Sequence, residues 1–398
     1  MSLKLFRLFV VPLAFLVLGL ALAACGSDEE EPAAPEATAE PTQASTPEPT
    51  AAPTEAPTEA PTEAPTEAAT ATAAPTEAAT PEPTPQPSAA ARSLEGVRGI
   101  VDHTNTGWPR EVEGLNGVVS ISAKPLRIIT ASVGHDEMTL AIVPNERLVA
   151  VGGATKNETY SNIAHLVQEK AEISRDPEVI IAQSPDVVVT SPFMPIEVVE
   201  ALQRAGIPVI QTELEQGPEA RINAILLMGY IYGEEERAWE FADEVQARYD
   251  AIVAVTSLKD PKPRVLALTQ YSDTLWVAGG KSTEGGVITA AGGLNAAEDA
   301  GITGNQTTSL EGVIAMAPDI IIIPQPVAFG AEEFRQSLLD HEALAELPAI
   351  KNGAVFVVES KHFTTLSYWN IRGAEDLARM LWPDDFPNPP AESFSLAE

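Results

Sequence analysis

Cysteine is nearly absent from this chain: among 398 residues there is one, Cys25. An intramolecular disulfide, a thiolate metal cluster and a cysteine nucleophile elsewhere in the chain are therefore excluded. Basic residues are also scarce, with 24 Lys and Arg against 57 Asp and Glu and a formal net charge of −33. Binding a phosphate backbone needs a basic patch to neutralise it, so no nucleic acid partner is expected. Histidine is limited to His103, His135, His165, His341 and His362. They are scattered, whereas a bare zinc or manganese receptor brings three or four His and carboxylate ligands to one point. No resident metal or other cofactor is expected. Also missing are a Gly-x-Ser-x-Gly elbow, a Gly-x-Gly-x-x-Gly turn after a first strand and a Gly-x-x-x-x-Gly-Lys-Ser phosphate loop. Ser191 or Ser282 with His135 or His362 as base therefore has no motif behind it, and the chain reads as a non-enzyme.

A long apolar run occurs only at the start. Lys4 and Arg7 precede about fifteen mostly apolar residues through Val10, Leu16 and Leu20, fewer than the roughly 18 to 20 that span a bilayer as a helix. Residues 1–24 have the form of a secretory signal peptide. Leu22-Ala23-Ala24-Cys25 resembles the lipobox of bacterial lipoproteins, whose cysteine is acylated and becomes the mature N-terminus. The resemblance implies a lipid on Cys25 and an extracytoplasmic chain anchored to the bacterial cell membrane. Two or three acyl chains hold stably, because each buried methylene contributes about 0.8 kcal/mol and one chain alone holds only marginally.

Residues 25–92 consist almost wholly of Ala, Pro, Thr, Glu and Ser, with an Ala-Pro-Thr-Glu repeat running from Ala52 to Glu67. Such a composition cannot build a core. Proline favours polyproline II geometry, and the regularly spaced glutamates repel one another, so the segment reads as a semi-stiff tether reaching on the order of 200 Å at ~3.1 Å per residue.

From residue 93 to 387 the pattern changes to short β-branched runs alternating with longer amphipathic segments, which indicates α/β layers. The expected strands are 127–130, 148–151, 187–190, 208–211, 265–269, 320–324 and 355–358; runs apolar on both faces suit parallel sheets covered by helices. The segment following Glu178, with Pro185-Asp186-Val-Val-Val, matches the segment following Glu311, with Pro318-Asp319-Ile-Ile-Ile. Arg127-Ile-Ile-Thr likewise matches Arg264-Val-Leu-Ala, and Gly206-Ile-Pro-Val-Ile-Gln matches Gly353-Ala-Val-Phe-Val-Val, in the same order. The expected organisation is an N-terminal α/β lobe at 93–217, bridging helices at 218–258, a similar C-terminal lobe at 259–387 and a tail at 388–398. Ile222, Ile225 and Leu226, then Phe241, Val245, Tyr249 and Ile252, recur at helical spacing on either side of Gly233. The second helix, 234–256, would be on the order of 33 Å long, a rigid strut joining two lobes and leaving a ligand cleft between the carboxyl ends of their strands. Residues 97–116 show no clear period.

The residues that carry a family resemblance are Pro125-Leu-Arg127-Ile-Ile-Thr, Ala182-Gln-Ser-Pro185-Asp186, Gly206-Ile-Pro-Val, Ala291-Gly292-Gly293-Leu-Asn295, Pro318-Asp319-Ile-Ile and Leu347-Pro-Ala-Ile-Lys-Asn352-Gly353-Ala-Val. In order and spacing they resemble the periplasmic binding proteins for iron siderophores, haem and cobalamin, across nearly the whole folded part. The resemblance implies a monomeric receptor that delivers a metal chelate, with a ferric siderophore as the first expectation and cobalamin or haem as alternatives, to the transmembrane subunits and ATPases of an ABC importer. It also implies that Glu178 and Glu311 dock on permease arginines; an acid in a helix's first turn is independently favoured by the macrodipole. A sensor or adhesin of the same fold is the alternative outside transport.

Loops after the strands supply the expected cleft residues: His135, Tyr160 and Phe193 from the first lobe, and Tyr271, Trp276, Lys281, Gln325, His362, Phe363 and Trp369 from the second, beside Phe329. Aromatic rings suit a large, flat or hydrophobic ligand, although Tyr271 and Trp276 could equally be core residues. His135 and His362 could contact a bound metal or haem directly, but a lone histidine is more often a hydrogen-bonded residue than a ligand. Candidate cations for an anionic chelate are few: Lys281, Lys361, Arg175 and Arg335.

Overall fold

The computed structural model describes residues 92–213, 216–389 and 393–397, all within the unit Pro83–Glu398. The signal peptide, Cys25 and the tether lie outside the described residues. The aperiodic stretch at the start of the folded part runs through turns into a hairpin, β1 (Arg110–Gly114) and β2 (Gly117–Ile121), paired antiparallel. Its tip is fixed by bonds that no local pattern reveals. Leu115 N–H donates to Gln211 O at 2.7 Å. The Asn116 side chain donates to Val209 O at 2.7 Å and accepts from Gln211 N–H at 2.9 Å. The hairpin thereby covers an otherwise open sheet edge.

The first lobe continues with β3 (Ile128–Thr130), α1 (Val133–Ile142), β4 (Leu148–Gly152), α2 (Ala164–Val167), β5 (Ala171–Ile173), α3 (Pro177–Ala182), β6 (Val187–Thr190), α4 (Ile196–Arg204) and β7 (Val209–Gln211). The strand order is β5-β4-β3-β6-β7, all parallel. Every residue of β3, β6 and β7 is buried, as expected of strands with helices on both faces. Then follow α5 (Pro218–Tyr232) and α6 (Glu235–Thr256), separated by Gly233 in left-handed geometry. α5 is buried all round from Ile225 to Tyr232. It can lie this close to α6 because position 229 is glycine: a Cβ there would come within 2.2 Å of Ala238 Cβ.

The second lobe comprises β8 (Arg264–Tyr271), β9 (Thr274–Ala278), α7 (Thr283–Ala290), β10 (Leu294–Asn295), α8 (Ala296–Asp299), β11 (Asn305–Thr308), α9 (Leu310–Met316), β12 (Ile320–Ile323), α10 (Ala331–Leu339), α11 (Pro348–Lys351), β13 (Val355–Val357), α12 (Ser360–Phe363) and α13 (Asn370–Leu381). Its sheet runs β11-β9-β8-β12-β13, with β10 beside the start of β8. Here the expectation of parallel sheets needs correction. β8, β12 and β13 are parallel, but β9 runs antiparallel to both its neighbours, β8 and β11. The reversal occurs in two residues, Ser272 and Asp273, with Ser272 at φ 54°, and β9 begins with alternating exposed and buried residues because one of its faces is open.

The internal repeat proves to be a structural device used twice. Asp186 Oδ2 accepts from the N–H groups of Leu126 and Arg127, both at 2.8 Å, and Asp319 Oδ2 accepts from Arg264 N–H at 2.9 Å. Arg127 Nε donates to Ser184 O at 2.9 Å and Arg264 Nη2 to Met316 O at 3.0 Å, satisfying carbonyls where the short helices end. Ser184 and Ala317, each just before the repeated proline, are both left-handed, at φ 49° and 44°.

One hydrophobic cluster passes through both lobes. It takes Ile128 and Met138 from the first, Tyr232, Phe241 and Tyr249 from the bridge, and Val265, Ile371 and Leu377 from the second. α6 packs on α1 at one end and on α7 and α13 at the other. The C-terminal segment joins the same cluster: Phe394 is buried, and Ala397 N–H donates to Leu140 O at 3.2 Å. Among the described residues no helix is long and apolar enough to cross a membrane.

Candidate functional site

The strands of both lobes end at a common cleft. One cavity, of about 340 Å³, is lined from the first lobe by Ser132, Gly134, Tyr160, Ser191 and Phe193 and from the second by Thr364, Thr365 and Leu366. A second, of about 300 Å³, is lined by Thr269, Tyr271, Trp276, Glu284, Asn305, Pro324 and again Thr364. Thr364 is common to both. A further groove of about 340 Å³, between the hairpin and α5, involves Glu113, Leu115 and Leu227 and no second-lobe residue.

The cleft is walled by rings that have no core to fill. Tyr160, Phe193, Tyr271, Trp276 and Phe329 are 38 to 77% exposed, Phe193 the most. Tyr160, from the loop before α2, and Phe329, from the loop after β12, face each other across the lobes with ring centroids 6.3 Å apart and planes 29° apart. Burial raises the pKa of the Tyr271 phenol, and the charge of Glu284 and the Tyr160 phenol raise it further. Tyr271 is thus close to the ring wall of one cavity and the carboxyl of the other.

Beneath the rings is a polar floor that ties the lobes together. Glu137 on α1 is fully buried. Its carboxyl accepts from Asn162 N–H at 2.8 Å and Asn162 Nδ2 at 2.9 Å, from Thr365 Oγ1 at 2.9 Å, and from Ser367 Oγ. Asn162 Nδ2 also lies 3.2 Å from Lys361 O. Burial raises the Glu137 pKa against the lowering effect of those hydrogen bonds. Arg221 on α5 is equally buried, donates to Leu366 O, and has its pKa lowered by desolvation.

Several residues expected in the cleft lie elsewhere. His135 is fully buried: Nδ1 is 2.7 Å from Ser132 Oγ and Nε2 is 2.7 Å from Thr212 Oγ1, so neither nitrogen is open to a ligand. Burial, with Arg221 nearby, pulls its pKa down to about 3. Gln325 is buried too. Its Oε1 accepts from Gln270 N–H at 2.9 Å and its Nε2 donates to Phe329 O, so it braces the loop that presents Phe329. Phe363 is a core residue, 1% exposed. His362 and Trp369 stack on each other, 5.9 Å apart and 6° from parallel. His362 lies 3.6 Å from Asp376 on α13 and Trp369 packs edge-on against Phe394, and neither lines the two cavities. Lys281 is exposed just before α7, outside both linings. One cation next to the cleft, besides Arg221 in its floor, is Arg175, in a smaller hollow of about 170 Å³ that shares Ser191 and Phe193 with the first cavity. Among the described residues no group of His, Cys, Asp and Glu is arranged to hold a metal ion.

Tyr160, Phe193, Tyr271 and Trp276 are brought together as expected, with Phe329. Glu284 was missed, because an acid two positions after the helix cap Ser282 looks like any first-turn acid. Glu178 and Glu311 are exposed in the first turns of α3 and α9. The Ser309 hydroxyl bond keeps the Glu311 pKa below the usual carboxylate range. Each helix precedes a parallel strand, β6 or β12, adjacent to its lobe's first strand. The acids therefore stand at matching positions on the edge where the strands end.

A family model described as "Periplasmic binding protein" matches residues 128–361. The chain is 24% identical over 276 residues, 68% of its length and 84% of the relative's, to an uncharacterized ABC transporter substrate-binding lipoprotein, YvrC, of Bacillus subtilis. It superimposes on the periplasmic haem-binding protein HutB of Vibrio cholerae with TM-score 0.57 at 22% identity, covering 65% of this chain and 99% of that one. On the molybdate-binding protein MolA of Haemophilus influenzae the TM-score is 0.58 at 20% identity, covering 70% and 93%. These structural likenesses establish the fold.

Proposed function

Because the chain belongs to the periplasmic binding protein family, we propose that it is the solute-binding lipoprotein of an ABC importer, capturing a metal chelate between its lobes and presenting it to the permease. The observation that carries the reading is the inter-lobe cleft walled by exposed Tyr160, Phe193, Tyr271, Trp276 and Phe329. Rings left half in water give up that exposure when a large apolar or flat ligand covers them, and each loses few rotamers in doing so. A chelate meets the shape requirement without protein ligands, because the metal's coordination is completed by the chelator.

A ferric siderophore of the hydroxamate type fits the cation-poor lining better than a polyanionic catecholate or the carboxylates of haem. An uncharged corrin is the second reading, favoured by the same scarcity of cations. In this proposal Cys25 carries the lipid and the chain lies outside the cytoplasm, at the bacterial cell membrane. The receptor acts as a monomer, and Glu178 and Glu311 meet the permease. Support for the export and anchoring comes from the Leu22-Ala23-Ala24-Cys25 sequence and from the lipoprotein relative.

The test is a tryptophan fluorescence titration of the full-length chain in detergent with a ferric trihydroxamate, a ferric tricatecholate, haem and cobalamin. Trp276 in the cleft is the reporter. Saturable quenching by one of them is expected, with Phe329→Ala weakening it about tenfold, equivalent to ~1.4 kcal/mol. No saturable response to any of the four would remove the chelate reading.

A further inference from the structure

We infer that Glu284 is the specificity carboxylate of this cleft, receiving a positively charged or multiply donating group of the bound molecule beside Tyr271 and Trp276. The inference rests on the proposal that the cleft binds a chelate, and it names the chelate's class: one carrying a protonated amine in preference to one that is negatively charged.

Glu284 lines the second cavity and is 9% exposed, yet among the described residues it forms no ion pair and no hydrogen bond to another side chain. Charged groups this buried are ordinarily paired, because taking a carboxylate from water without a partner is costly. Burial raises its pKa, against the lowering effect of a hydrogen bond from its own backbone N–H. Nothing in the cavity lining supplies the missing cation, since the other lining residues are uncharged.

Two features hold the turn that carries the carboxyl. Ser282 Oγ donates to Gly279 O at 2.7 Å and accepts from Gly285 N–H at 2.9 Å, fixing the first turn of α7. Position 285 must be glycine for that turn to pack, because a Cβ there would lie 2.1 Å from Gly279 O. The backbone that carries the carboxyl is thus preorganised, and a ligand cation need not reorder that turn. Tyr271 and Trp276 line the same cavity half-exposed, and aromatic faces attract a cation by their quadrupole, most strongly when water is excluded. A buried carboxylate lining the same cavity as two rings is an arrangement for an ammonium group. It opposes an anionic ligand, for which Arg175 at the far end is the adjacent counter-charge.

A purely structural Glu284 would serve only as a first-turn acid against the helix dipole, worth a few tenths of a kcal/mol of stability and indifferent to ligand charge. The experiment separates the two. The full-length chain is titrated with a ferric trihydroxamate bearing a free amine and with the same chelate N-acetylated, which keeps size and metal and removes the charge. The amine form should bind about tenfold more tightly than the acetylated form, in keeping with a desolvated carboxylate–ammonium contact. Glu284→Gln should abolish that ratio, and Glu284→Asp should keep part of it. Equal binding of the two probes by the unaltered chain overturns the inference and leaves the receptor reading intact. So does a ratio that survives in Glu284→Gln. If Glu284→Gln fails to fold, the ratio in the unaltered chain decides alone. If neither probe, nor haem, nor cobalamin binds, the chelate reading falls, and this inference with it.

Discussion

His135 has its two ring nitrogens on Ser132 and Thr212 inside the first lobe, and its pKa falls from 6.5 to about 3 on folding. In the unfolded chain the ring gains a proton as pH drops past about 6.5, whereas the folded chain holds it neutral until about 3. The contribution of the neutral ring is therefore full above that window and lost as pH falls through it. Asp136 and Glu137, both with raised pKa values, act in the opposite sense: they favour folding at low pH and disfavour it as pH rises. The His135 effect is isolated by comparing the chain with His135→Gln, which does not titrate. Urea melts at a series of pH values should show the variant less stable at pH 7 by several kcal/mol, with the gap closing toward pH 4. A gap constant with pH would mean that His135 keeps its ordinary pKa in the fold.

Asn116 and α6 define what elements contribute. Asn116 makes two bonds to β7 from the tip of the hairpin, and these cover the edge strand. Asn116→Ala leaves Val209 O and Gln211 N–H without those partners and should cost about 1 to 2 kcal/mol. Hydrogen exchange should rise at β7 while β3 stays protected. α6 presents Phe241, Val245, Tyr249 and Ile252 to the shared core and Ala247 to solvent. Ala247→Pro removes a helix hydrogen bond and clashes with the preceding turn without touching the core. It should cost about 3 kcal/mol and broaden the distribution of distances between spin labels placed one on each lobe. Unchanged widths would show that the lobes are held together without the strut.

Across the whole molecule, the hydrophobic cluster that runs through both lobes and the Glu137 floor beneath the cleft oppose large opening. Bending a packed helix costs more than rotating hinge loops, so ligand entry is expected with small movements of the ring-bearing loops. In the proposed importer the two exposed acids would report the lobes' positions from equivalent places. With the cognate permease and ATPase in membranes, Glu178→Arg combined with Glu311→Arg should abolish ligand-stimulated ATP hydrolysis and leave ligand affinity unchanged, because neither acid lines the cavities. Stimulation that persists in the double variant would exclude docking through these residues.

Composition, periodicity and a repeated local device are properties of neighbouring residues, and they determined much of this protein. The two α/β lobes, the helix from Glu235 to Thr256 and the doubled Pro-Asp turn follow from them. The residues facing the ligand were settled at longer range. His135, Gln325 and Phe363 stand in loops or first turns after strands, as Tyr160 and Phe329 do, but they turn inward to partners such as Thr212 and Gln270 that are distant in sequence. The β1–β2 hairpin is fixed by bonds to β7, about a hundred residues on. The burial of Glu284 without a charged or side-chain partner exists only once β8, β9 and α7 surround it. Loops have no period to read, and burial of a polar group depends on what the rest of the chain places around it; those two things only the tertiary structure could decide.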